Sequence, residues 1–185
     1  MISYYKNQFI LSNKIKLNQN LLRGIGVFET IKFNKKKLFF FDEHINRLFS
    51  NDFFDFTKFK KEKIYENIIK VIDQNSINEG LAKIVITPVS DDWSELEYYI
   101  FLRKLPKIET SIVKIIFFKE SLYPILRFKP MHKSLSYMGN FMAKRDARLK
   151  GAFEPIFYNE NNIITEGAIR NIFFIKKKYY LYSIY

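Results

Sequence analysis

Residues 26–33, Gly-Val-Phe-Glu-Thr-Ile-Lys-Phe, alternate roughly at period two and are rich in β-branched and aromatic side chains. That pattern reads as a strand. Gln8-Phe-Ile-Leu-Ser-Asn13 reads as another before it. Asn34-Lys-Lys-Lys37 is a hairpin connection, and Leu38-Phe-Phe-Phe41 is expected to return as the paired strand. Asp42 is placed as a helix N-cap, with Ile45, Leu48 and Phe49 on one helical face. Ile64, Ile68, Ile69 and Ile72 then recur at helical spacing in a second helix over 58–73. Residues 81–89 and 95–105 read as a strand pair joined by Ser90-Asp-Asp-Trp-Ser94. Trp93 in that loop is either a binding residue or an anchoring aromatic.

Strands and helices therefore occur in one chain without repeats, which implies an α+β class. The polar, Pro-containing segment 106–111 is the candidate linker. It divides an N-terminal domain, 1–105, from a second, β-rich unit, 112–185. The second unit holds a strand at 112–118, an irregular crossing at 120–133 and a helix at 137–151 closed by Gly151. Two hairpins follow, Glu154–Tyr158 with Asn162–Thr165, and Asn171–Ile175 with Tyr179–Tyr185.

Of the 185 residues 48% are hydrophobic and 18% aromatic, which excludes a disordered chain and allows a sizeable core. The formal charge of +12 would attract phosphates, nucleic acid or anionic membranes. The basic runs at 34–37, 58–63 and 176–178 are short and scattered, so a solvated surface is the expectation and a nucleic-acid partner is not. Cysteine is absent and there are two histidines, so neither a disulfide framework nor a metal site is expected. No leader pattern and no membrane-length apolar run is visible, and a cytoplasmic location is expected.

Three residues stand out chemically. Lys133 lies among Met, His, Ser and Leu rather than in a basic cluster. It is either solvent-exposed, or partly buried with a lowered pKa that makes it a nucleophile toward carbonyls. Glu166 sits between apolar strand-like runs, as a turn acid or as a buried acid that needs a partner. Arg47 is either a phosphate fork or a solvated residue paired with Glu43 four positions earlier. A buried Lys with a buried Glu suggests pyridoxal phosphate chemistry, the lysine forming a Schiff base and the glutamate keeping the pyridine nitrogen protonated.

Four segments, in order, resemble the class IV aminotransferases, the fold-type IV pyridoxal phosphate enzymes. They are Gly24-Ile-Gly-Val-Phe-Glu-Thr-Ile-Lys-Phe33, Leu38–Asn51, His132–Ala152 and the Glu166-Gly-Ala-Ile-Arg-Asn stretch within 163–175. The resemblance implies a two-unit, D-amino-acid-aminotransferase-like fold, with the second domain left incomplete by the residues present. The family continues into a further helix N-terminus that binds the cofactor phosphate. The resemblance also implies that pyridoxal 5'-phosphate is the cofactor, Lys133 the catalytic residue, Arg47 the phosphate ligand and Glu166 the pyridine partner. Tyr137 would contact the ring oxygen. Gly167, Ala168 and Ile169 would line the cofactor through their backbone.

Ile25 and Phe28 would lie near substrate, although Ile25 stands where the family commonly has a polar or aromatic residue. Arg170 either reaches a substrate carboxylate or sits on the surface. The run Lys133-Ser-Leu-Ser-Tyr-Met lacks the Gly-Asn-Tyr frequent in branched-chain enzymes. This points toward an aminodeoxychorismate lyase that eliminates pyruvate to give 4-aminobenzoate. Branched-chain or D-amino-acid transamination, and an inactive or basic binding protein, are the alternatives. A small amino substrate and a homodimer are the implied partners.

Overall fold

The alternating stretch at 26–33 becomes the second strand from one edge of an antiparallel sheet. The computed structural model describes residues 1–106, 112–126, 133–176 and 179–182, the last four and Lys176 by backbone only. These fall into two units, 1–106 with 133–135, and the remainder.

The first unit is built on β1 (Ile2–Tyr5), β2 (Gln8–Leu11), a short helix α1 (Gln19–Leu22), β3 (Val27–Asn34), β4 (Lys37–Leu38), α2 (Phe41–Phe49), α3 (Lys61–Asn75), β5 (Glu79–Pro88) and β6 (Leu96–Arg103). The sheet order is β2-β1-β6-β5-β3-β4. Lys35 and Lys36 both adopt positive φ, 46° and 65°, the geometry of a two-residue hairpin turn whose twist matches its strands. One sheet face carries Val27, Ile31, Phe33, Ile84, Ile86, Ile100 and Leu102. It packs with Ile45 and Leu48 of α2 and with Ile64, Ile68, Val71 and Ile72 of α3. Each fully buried isoleucine there contributes about 2 kcal/mol of transfer free energy.

Two expectations need correcting in this unit. The strand expected over 38–41 is only Lys37–Leu38, because Phe41 already belongs to α2. Asp42 is not the N-cap. Phe40 caps the helix in a left-handed conformation, φ 53°, without a side-chain bond. Asp42 and Glu43 instead occupy the first turn, where acidic charge suits the helix dipole. The second helix runs three residues later at its start and two later at its end than its periodicity suggests, over 61–75. Trp93 stands edge-on to Phe54, ring centroids 5.6 Å apart, so the aromatic anchors its loop.

The second unit contains β7 (Ile115–Lys119), α4 (Met138–Leu149), β8 (Glu154–Tyr158), β9 (Ile164–Gly167) and the hairpin β10 (Phe173–Lys176) with β11 (Tyr179–Tyr182). β7 and β8 run parallel, and β9 pairs antiparallel to β8. The core is small: Ala143 and Ala147, one turn apart on α4, meet Phe118 and Phe157. Gly151, φ 70°, follows the C-cap Lys150 and ends α4 in a left-handed turn. The candidate linker lies outside the described residues except for Pro106, and the basic run at 176–178 is described only for the backbone of Lys176. Among the described residues no helix is long and apolar enough to cross a membrane.

Candidate active site

Residues 133–135 attach to the first unit by backbone pairing. Phe28 N–H donates to the Lys133 carbonyl at 2.8 Å, and Leu135 N–H to the Gly26 carbonyl at 2.9 Å. Gly26 makes this possible. Its φ is 153°, and a Cβ there would stand 2.6 Å from the Ile86 carbonyl oxygen and 2.9 Å from a Leu135 methyl. The second glycine of Gly-Ile-Gly is therefore a requirement for close approach. Ile25, between the two glycines, is half-buried. Its carbonyl accepts from Thr87 Oγ1 at 2.7 Å.

Lys133 meets Val27, Phe28, Glu29, Arg47, Leu48 and Asn51 around a narrow crevice with no room for a water molecule. The sequence reading did not single out Glu29. It lies on the inward face of β3, its side chain 1% exposed. Arg47 donates to it through Nε at 2.5 Å and Nη2 at 2.8 Å. His44 Nδ1 lies 2.7 Å from Oε2. Burial alone would raise the Glu29 pKa. Hydrogen bonds from His44 and Arg47, and the charges of Arg47 and Lys133, outweigh it and hold the group at about 2. Glu29 is thus ionised at neutral pH and accepts only, so Nδ1 of His44 carries the proton. The ion pair of Arg47 is with Glu29, across the fold, rather than with Glu43 on its own helix. The missed signal was a carboxylate at an apolar-face position of an alternating strand.

Phe28 carries Lys83 above its ring, the amine 4.3 Å from the centroid. Burial, and then the neighbouring charge of Arg103, lower the Lys83 pKa. Lys83 pairs with no carboxylate among the described residues. A lysine within the apolar run of β5 was its only sequence signal.

In the second unit Glu166 lies within β9 rather than after it, because the strand extends through Gly167. It is half-buried. The buried acid of this unit is another, Glu154. Ala168 is buried and Ile169 exposed. The Arg170 guanidinium pairs with Glu154 and lies 4.2 Å over the Phe153 ring. Arg170 is therefore neither a simple surface group nor directed by default to a ligand. Tyr137, half-buried, is the N-cap residue of α4. Among the described residues no group of three ligating side chains could hold a metal ion.

Residues 26–183 match the family model of amino-transferase class IV. The chain belongs to that family. The family is pyridoxal phosphate dependent, and its fold-type IV architecture is the α+β fold expected from the sequence. A putative branched-chain-amino-acid aminotransferase of Methanocaldococcus jannaschii is 23% identical over 186 residues, 94% of this chain and 65% of that protein. The aminodeoxychorismate lyase of Bacillus subtilis is 29% identical over 175 residues, 86% of this chain and 58% of that one. Among solved structures, the branched-chain aminotransferase of Thermoproteus uzoniensis with norvaline superposes with a TM-score of 0.83 at 19% identity. That match covers 98% of this chain and 67% of the other. The chain thus spans 58% to 65% of the length of these two curated relatives.

Proposed function

We propose that this class IV chain works as a pyridoxal-phosphate-dependent lyase, eliminating pyruvate from 4-amino-4-deoxychorismate to give 4-aminobenzoate. The observation that carries the cofactor assignment is the Lys133 pocket. Its lining combines two cations with one ionised carboxylate. That balance and the apolar walls of Val27, Phe28 and Leu48 suit an aldehyde and a phosphate. No water-sized space lies among them, so these residues would meet only an edge of the group.

Lys133 would hold the cofactor covalently and afterwards carry the proton removed from the carbon beside the substrate amine. Arg47, oriented by Glu29, would bind phosphate oxygens. Glu166 would hold a proton at the pyridine nitrogen, and Tyr137 would meet the ring oxygen. The backbone of Gly167, Ala168 and Ile169 would line the ring. Ile25 and Phe28 would bound the substrate, and Lys83 would take a carboxylate. Arg170 is assigned to its ion pair instead. The bound cofactor supplies an electron sink at the carbon that loses the proton.

The lyase reading is supported by the run after Lys133 and by the 29% identity to the Bacillus subtilis lyase. An amino-acid aminotransferase is the second reading, favoured by the coverage of the Methanocaldococcus jannaschii protein. Products decide between them. Pyruvate and 4-aminobenzoate released without added keto acid support the lyase. Turnover of leucine or D-alanine only with a keto acid replaces it by a transaminase. A colourless protein, with salt-sensitive nucleic-acid binding, would contradict both. A homodimer is expected from the family resemblance and is measured by sedimentation.

A further inference from the structure

Glu154 opens β8 with its side chain only 4% exposed. A carboxylate buried this far costs free energy unless it is paired and hydrogen-bonded. Its partners converge on the turn that follows Glu166. Oε1 accepts the Ile169 backbone N–H at 2.9 Å. Oε2 meets Lys144 Nζ at 3.1 Å and also the Arg170 guanidinium. The same turn is fastened twice more. Asn140 Nδ2 donates to the Ala168 carbonyl at 2.9 Å, and Ala168 N–H donates to the Pro155 carbonyl at 3.3 Å. Gly167 allows the chain to turn so tightly, since a Cβ there would sit 2.8 Å from the Arg170 carbonyl oxygen. The turn is thus tied to α4 through Asn140, and to β8 through Glu154 and Pro155, while Lys144 of α4 holds Glu154.

We infer that Glu154 is a positioning residue, fixing the Gly167–Arg170 turn and through it the backbone of Glu166. It touches no reacting atom. The inference rests on the role proposed above for Glu166. It gives the second unit a buried acid whose function is to set the place of a half-exposed one. The rival is a purely structural role, in which Glu154 only neutralises Lys144 and Arg170.

Two conservative substitutions separate these roles. Glu154→Gln keeps a carbonyl acceptor for the Ile169 N–H and loses the charge. Glu154→Asp keeps the charge and withdraws the acceptor by one methylene. Amide exchange and amide chemical shifts would be followed by NMR on the full chain in both variants, together with thermal melting. Pyridoxal phosphate titration would follow. Positioning predicts that Glu154→Asp speeds Ile169 exchange about tenfold or more relative to β7 amides, a local opening rather than a global one. It also predicts that the Glu166 amide resonance moves and that cofactor affinity weakens about tenfold. Glu154→Gln should hold all three near wild type even if it melts earlier. The opposite order, with Gln disruptive and Asp silent, overturns the inference. So does a Glu166 resonance unmoved in both variants. If wild type takes up no cofactor, the functional proposal fails, while the exchange and shift data still decide whether Glu154 positions the turn.

Discussion

Among the described residues each unit buries one carboxylate against an arginine, and the two acids are held differently. Glu29 in the first unit receives hydrogen bonds from side chains of α2, Arg47 and His44. Glu154 in the second receives a backbone N–H as well as two cations. Hence Glu29 orients a side chain, Arg47, whereas Glu154 orients a turn of main chain. The settings differ too. Glu29 lies on the sheet face buried by α2 and α3 among isoleucines, and Glu154 lies beside a small alanine core. Similar charges thus do unlike work according to what their donors are attached to.

The largest expected effect comes from breaking the first pair. Arg47→Ala leaves Glu29 buried with one ring donor, and removing one partner of a buried pair costs about 3–5 kcal/mol. Urea unfolding of the first unit measures it, and a loss near that expected for Arg170→Met would erase the contrast between the units.

Acid gives the next effect. The Glu29 pKa is lowered in the fold, from 4.5 to about 2. Its contribution is therefore present above the unfolded value and is lost as pH falls through the folded one. Integrated over that shift it amounts to about 3 kcal/mol. Urea midpoints between pH 5 and 2 should fall in wild type, and Glu29→Gln should remove this part of the slope. An unchanged slope would contradict the pairing.

His44→Leu deletes a single donor and leaves both Arg47 bonds, so it should cost about 1–2 kcal/mol. The smallest effect is Arg170→Met. Its side chain is 41% exposed and Lys144 still faces Glu154, so the cost should stay within about 1 kcal/mol. Both are read from thermal melts, and a larger effect for Arg170→Met than for His44→Leu would reverse the ranking.

Much of the scaffold was legible because it rests on periodicity. Residues 26–33 alternate, and the isoleucines of α3 recur at helical spacing, so β3 and α3 could be read directly. The Leu38–Phe41 run was misread because four apolar residues suit a strand or a helix start alike. A left-handed Phe40 decides between them, and no local pattern announces it. Lys133, Arg47 and Glu166 were singled out by type and by four motifs in order. Glu29 and Glu154 were passed over because their importance lies in burial against distant donors, Glu29 to Arg47 across eighteen positions and Glu154 to Arg170 across sixteen. Lys83 escaped for the same reason: its ring partner Phe28 sits on another strand.

The most direct measurement is cofactor trapping. The purified chain is mixed with pyridoxal phosphate, its absorbance spectrum recorded, borohydride added and the peptides mapped by mass. The prediction is an imine absorbance band that borohydride removes, with the cofactor mass fixed on Lys133 and lost in Lys133→Ala. No band, or label spread over exposed lysines with Lys133 unmodified, would contradict the assignment of Lys133 as the residue that holds the cofactor.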